Sequence, residues 1–169
     1  FAGGQTLINV DLPGMGRDPI ALQRIARATG LNIVASTGWY VQFSHPPEIA
    51  DKDIEELSDI MIKEITQGIG NTGIKAGNIG EIAMSGQPHE PFQPGEEKVL
   101  RAAARAQKAT GVSLTVHPNF PADHWDTYID ILEKEGADLS KCYMSHLGLF
   151  PNADVPKRIL SKGVGFVSY

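Results

Sequence analysis

At 169 residues, 41% hydrophobic and 21% charged, the chain has apolar material for one packed domain and too much for a disordered segment. Its net charge of -5 argues against nucleic acid as a partner, because phosphate binding needs clustered Lys and Arg. The lone cysteine, Cys142, excludes an internal disulfide and any Cys-x-x-Cys motif, so a metal would have to be held by His and carboxylate.

Six short apolar, partly β-branched runs alternate with five helical patterns. The first run, 6–10, leads to a helix with Asp18 as N-cap, Pro19 at its first position and Gly30 after its last turn. Run 31–36 precedes a helix whose inner face carries Ile54, Leu57, Met61 and Ile65 and which Gly68 closes. Strand 79–83, with Asn78 ahead of it, is followed by a helix with Glu96 and Glu97 in its first turn. Leu100, Ala103 and Ala104 point inward there, and Gly111 ends it. Run 112–117 leads to a helix over about 123–136 with Trp125, Ile129 and Leu132 as its stripe. Run 142–146 precedes a helix near 152–163 that has Pro156 in its first turns, and run 164–168 is the sixth strand.

Alternating strands and helices mean parallel βα units, either an open doubly wound sheet or a closed barrel. The segment 10–16 after the first strand has Gly-x-Gly without the third glycine of a dinucleotide fingerprint, which disfavours the open sheet. The expected architecture is α/β, a partial (β/α)8 TIM-like barrel with about six parallel strands of the eight. A complete barrel needs about 250 residues, so 1–169 is expected to be a single domain that is a fragment of a barrel. No apolar run approaches the ~20 residues that span a bilayer, and no charged-then-apolar leader is visible, although the chain starts at Phe1. A cytoplasmic location, with no membrane partner, is the expectation.

Glu81 falls inside a strand, and the next two strands end at His117 and near His146. A carboxylate in an apolar strand is costly unless a cation or donor compensates it, and no inward Lys or Arg is apparent. One carboxylate and two imidazoles from successive strands are metal-ligand types. Strand alternation places Ser113 and Thr115 inward with His117, Ile79 and Ala83 with Glu81, and Cys142 and Met144 with His146. A single histidine at a strand end is also compatible with a purely hydrogen-bonded role. His45 reads as a solvent-exposed loop histidine, with pocket lining the alternative, His89 and His124 as surface or capping residues, and Asp11 as a turn-capping aspartate or a minor site residue. Trp39 and Tyr40, directly after Thr37-Gly38, sit where barrel loops contact substrate, with core packing the alternative for Trp39.

Through Gly16-Arg17-Asp18, the run 33–38, Gly68-Ile69, the run 72–77, Ile79-Gly80-Glu81-Ile82, the run 97–106 and Thr110-Gly111 leading to His117, the chain resembles the phosphotriesterase-related branch of the amidohydrolase superfamily. The likeness covers essentially the whole chain in order. It implies a distorted (β/α)8 barrel with two divalent metal ions, zinc first and manganese as the alternative, at the strand ends. Glu81 matches the metal-bridging position, a modified lysine in many relatives and glutamate in others. His117 and His146 match two histidines that bind the second ion, and Tyr40 falls near an aromatic pocket position. The family's first-strand His-x-His pair and last-strand aspartate are not matched here, which places the chain between the second and seventh barrel strands. Leu147-Gly148-Leu149-Phe150 stands where relatives often carry an acidic residue, so a proton relay is not carried over.

The function implied is a binuclear metal-dependent hydrolase whose metal-bridging hydroxide attacks a carboxylic ester, lactone, amide or phosphoester. Its catalytic and metal residues would be Glu81, His117 and His146, with Trp39 and Tyr40 binding substrate. The partner is then a small-molecule substrate, with room for a homodimer. The competing class is a non-catalytic barrel or metal-binding remnant lacking a complete centre, and 1–169 alone is expected to be inactive. A Schiff-base aldolase ranks last, since no lysine lies in a strand near its C-terminal end.

Overall fold

The computed structural model describes residues 3–85, 93–117 and 124–168. Its strands and helices alternate except where β2 runs directly into β3: β1 (Thr6–Ile8), α1 (Pro19–Thr29), β2 (Asn32–Val34), β3 (Ser36–Thr37), α2 (Ile54–Thr66), β4 (Asn78–Ala83), α3 (Pro94–Thr110), β5 (Ser113–His117), α4 (Trp125–Glu135), β6 (Cys142–Met144), α5 (Asp154–Ser161) and β7 (Phe166–Val167). The strand expected over 31–36 is divided at Ala35. Its first half pairs with β1 (Ile8↔Val34) and its second with β4 (Ser36↔Asn78), all parallel. Beyond it the ladder runs β3-β4-β5-β6-β7.

Every strand therefore lies beside its sequence neighbour, with no reversal of order. An open doubly wound sheet has such a reversal at its switch point, whereas a barrel wall does not. The fold is α/β, a six-strand section of a TIM-like barrel wall with interleaved helices.

The helix boundaries follow local chemistry. Asp18 accepts from the Ala21 N–H ahead of Pro19, and Asp53 and Glu56 form a reciprocal capping box at α2. Gly30, Gly111 and Gly136 close α1, α3 and α4 in left-handed conformations. Helix α3 starts at Pro94, two residues before Glu96, because Pro suits a first position whose N–H has no helical partner. The same reasoning admits Pro156 in the first turn of α5.

The core lies between wall and helices. Leu57 and Met61 of α2, Val99, Leu100, Ala103 and Ala104 of α3, and Trp125, Ile129 and Leu132 of α4 are fully buried against Ile79, Ile82, Leu114, Val116, Cys142 and Met144. Ile79, Cys142 and Met144, expected to face the barrel interior, thus belong to the helical side. No helix among the described residues is long and apolar enough to cross a membrane.

Candidate metal centre

The concave side of the wall carries polar side chains from β4, β5 and β6, flanked by the apolar Ile8, Val10 and Phe166. A cavity of about 670 Å³ is lined there by Asn78, Glu81, Thr115, Tyr143, Ser145 and His146 among others. Two departures from ideal strands explain why Glu81 and His146 reach it although Ile79 and Met144 do not. In β4, Ile79 pairs with Leu114 but Ile82 pairs with Val116, so one extra residue is inserted opposite β5. This bulge resets the alternation, and Glu81 turns inward between two outward isoleucines. Only glycine fits at position 80, where φ is +103° and a Cβ would stand 2.2 Å from the Thr115 carbonyl oxygen. Asn78, fully buried, steadies the turn: its Nδ2 donates to the Gly80 carbonyl and the Ser36 hydroxyl, and its Oδ1 accepts from Ser113 and Thr115.

At the end of β6 the reset is a left-handed residue. His146 has φ 57° and ψ 27°, one of the few side chains that tolerate that region. Its N–H donates to the Ser168 hydroxyl, and the next N–H, of Leu147, to the Ser168 carbonyl, so the chain turns and the imidazole swings into the cavity.

The three groups meet. His117 Nδ1 lies 3.2 Å from Glu81 Oε2, His146 Nε2 lies 3.5 Å from Glu81 Oε1, and the ligand atoms of the trio lie within 4.8 Å of one another. The two imidazoles stand edge to face, 4.9 Å between centroids. Ser145 donates a short hydrogen bond to Glu81 Oε1. Burial pushes the Glu81 carboxyl's pKa up, but His117, Ser145 and His146 outweigh it and hold the group below its ordinary value.

Tyr40 completes the surroundings. Its hydroxyl is 3.1 Å from His117 Nε2, and the two rings pack at 5.2 Å. Burial, and then the charge of Glu81, raise the phenol's pKa. Trp39 does not join the site: it is 4% exposed and packs with the helical core, because its side chain follows the outward parity at the end of β3. His45 is half-buried rather than exposed, and its Nε2 donates to the Tyr40 carbonyl. His124 stands at the N-cap of α4 beside Tyr128, and Asp11 closes a local turn with Asn9. His89 lies outside the described residues.

The donor set fits a divalent cation. If His117 Nε2–H donates to the Tyr40 oxygen, Nδ1 presents its lone pair to the Glu81 carboxylate. Nδ1 is buried 3.2 Å from Glu81 Oε2, so in that tautomer a cation between them would be held by the imidazole and the carboxylate together. Ser145 and Asn78 were not anticipated from the sequence. Ser145 was hidden by the alternation assumed for β6, and Asn78 by its place at a strand start, although a polar side chain facing Ser113 and Thr115 was the available signal.

Comparison with known proteins gives the family. The phosphotriesterase family model matches residues 1–167. A phosphotriesterase-related protein of Nematostella vectensis is 40% identical over 144 residues, 85% of this chain and 40% of its own length. The N-acetyltaurine hydrolase of Homo sapiens is 39% identical over 145 residues, 86% of this chain and 40% of its own. The crystal structure of the phosphotriesterase homology protein from Escherichia coli, complexed with phosphate in its active site, superimposes with a TM-score of 0.88 at 33% identity, covering 96% of this chain and 55% of that one. The chain thus spans about two fifths of the length of these curated relatives. With its parallel wall, its inward glutamate and its strand-end histidines, the chain belongs to the phosphotriesterase family.

Proposed function

We propose that the whole protein is a metal-dependent hydrolase with two divalent ions, in which Glu81 is the bridging ligand and His117 and His146 bind one ion. The observation that carries this reading is the convergence of the trio at the C-terminal ends of three successive parallel strands, where barrel enzymes place their chemistry. Divalent ions there would supply Lewis acidity and an acidified water. Glu81 contributes the negative charge that holds the cations, and Ser145 fixes which carboxylate oxygen faces His146. Tyr40, its hydroxyl 3.1 Å from His117 Nε2, orients that imidazole and closes the site on that side.

The substrate class supported is a carboxylic ester, lactone, amide or phosphoester, with an amide favoured. That preference rests on relatives named N-acetyltaurine hydrolase in several vertebrates at 36–39% identity and on a glutamate at position 81. Zinc is the first expectation, manganese the second. The test is metal analysis and turnover of the full-length protein and its Glu81→Gln variant, whose amide keeps the shape and removes the charge. Metal content and hydrolysis are expected to fall together. Full occupancy and activity in the variant would refute the bridging role, and a kcat/KM for a phosphotriester far above those for matched amides would refute the substrate preference.

A further inference from the structure

Helix α3 turns its first residues toward the loop that carries Tyr40. Glu96, third in that helix, is fully buried. A glutamate at this position commonly folds back on its own N-cap. Here it reaches away: Oε1 accepts from the Gln42 N–H at 2.8 Å and from the Ser85 hydroxyl at 2.6 Å, and Oε2 accepts from the Ser85 N–H at 2.7 Å. All three donors are neutral. A buried carboxylate held this way is an expensive route to stability alone, yet it is the group whose two oxygens can meet three converging donors.

The partners define what is being held. Gln42 lies two residues after Tyr40, and Ser85 lies four residues after Glu81. The same helical turn adds further ties to the loop: the Gly95 N–H donates to Gln42 Oε1 at 2.8 Å, and Lys98 Nζ donates to the carbonyls of Ile49, Ala50 and Lys52. With His45 on the Tyr40 carbonyl, the backbone is fastened on both sides of the tyrosine whose hydroxyl meets His117 Nε2.

We propose that Glu96 is a positioning residue for the centre: by tying Gln42 to Ser85 it holds Tyr40 against His117, and so sets the imidazole orientation that aims Nδ1 at Glu81. Its catalytic consequence rests on the metal-hydrolase reading; its geometric content does not. The first measurement is therefore made on metal-free, full-length protein. Tetranitromethane should nitrate Tyr40 severalfold faster in Glu96→Gln than in wild type, with Tyr143 as an unchanged internal control, read by peptide mass spectrometry. The second is zinc affinity by chelator competition in a double-mutant cycle. Glu96→Gln and Tyr40→Phe should each weaken binding roughly tenfold, and the double variant should be no weaker than the weaker single.

A purely structural Glu96 would leave the relative Tyr40 rate unchanged or give additive losses of affinity, and either result overturns the proposal. Should Glu96→Gln not fold, Gln42→Pro serves. Gln42 opens the 3-10 turn Gln42–Ser44 after an extended Val41, a place that accepts proline, and the change deletes both Gln42 ties to α3, the N–H on Glu96 and the side-chain acceptor of the Gly95 N–H, while leaving Glu96 and Ser85 in place. Tyr40 must again become more reactive, and an unchanged rate overturns the idea. If wild-type protein takes up neither zinc nor manganese, the hydrolase reading fails, while the nitration result still decides the role of Glu96.

Discussion

Three residues carry conformations or environments that a substitution can test. At Gly80 any side chain meets a backbone carbonyl and a disfavoured φ together, so Gly80→Ala should lose about 2–5 kcal/mol of stability and turn Glu81 away from the histidines. Urea unfolding and zinc titration would check both parts. His146 occupies the left-handed region, so in metal-free protein His146→Val should be less stable than His146→Gly by about 1–2 kcal/mol, although both lack the imidazole. Equal denaturation midpoints would count against the strain. Burial, and secondarily the charge of Asp138, push the Cys142 thiol up to about 12. Native protein at pH 8 should leave Ellman's reagent uncoloured until denaturant is added. Because the unfolded thiol ionises near ~8.5, the folded state binds the extra proton above that pH, and this group's contribution to stability should fall from there toward pH 12.

At the level of elements, the helices are fastened by features of unequal worth. The reciprocal box at α2 satisfies two N–H groups that would otherwise have no partner, and Asp53→Ala should cost about 1 kcal/mol, read as a shift in denaturation midpoint without a change in slope. Arg101 and Arg105 of α3 share Glu135 of α4, but the two arginines are part exposed, Arg105 the more so at 43%. Arg105→Ala should therefore cost under about 1 kcal/mol, and less at high salt. The apolar contact of α3 with α4, where Leu100, Ala103, Trp125 and Leu132 are fully buried, holds these helices instead.

For the molecule as a whole, the outermost strands expose large apolar side chains. Leu7 and Ile8 of β1 are 48% and 53% exposed, and Phe166 of β7 is 65% exposed. Open, apolar strand edges recruit other strands. Residues 1–169 expressed alone should bind a hydrophobic dye and self-associate, and gel filtration showing a dye-silent monomer would count against this. The same segment should bind metal weakly and show no metal-dependent hydrolysis, because the described residues bring three ligands together where a two-metal centre needs about twice that number. Chelator-sensitive turnover by the isolated segment would overturn that expectation.

Strand and helix order, the capped helix boundaries and the choice of Glu81, His117 and His146 as candidate ligands follow from local sequence signals, because periodicity, caps and residue chemistry act within a few residues of each other. The reading of α3's first turn as a dipole feature missed Glu96, whose partners lie 54 and 11 positions away in the chain. Side-chain direction was also beyond sequence. Simple alternation put Ile79, Cys142 and Met144 on the wrong face, since the extra residue in β4 and the left-handed turn at His146 are each stabilised from outside their own strand: by the β5 ladder and the Ser113 and Thr115 hydroxyls on Asn78 for one, by Ser168 after β7 for the other. Trp39 and Tyr40 show the same division. Two adjacent aromatics are equivalent in the sequence, and only the packed wall sends one into the helical core and the other against His117.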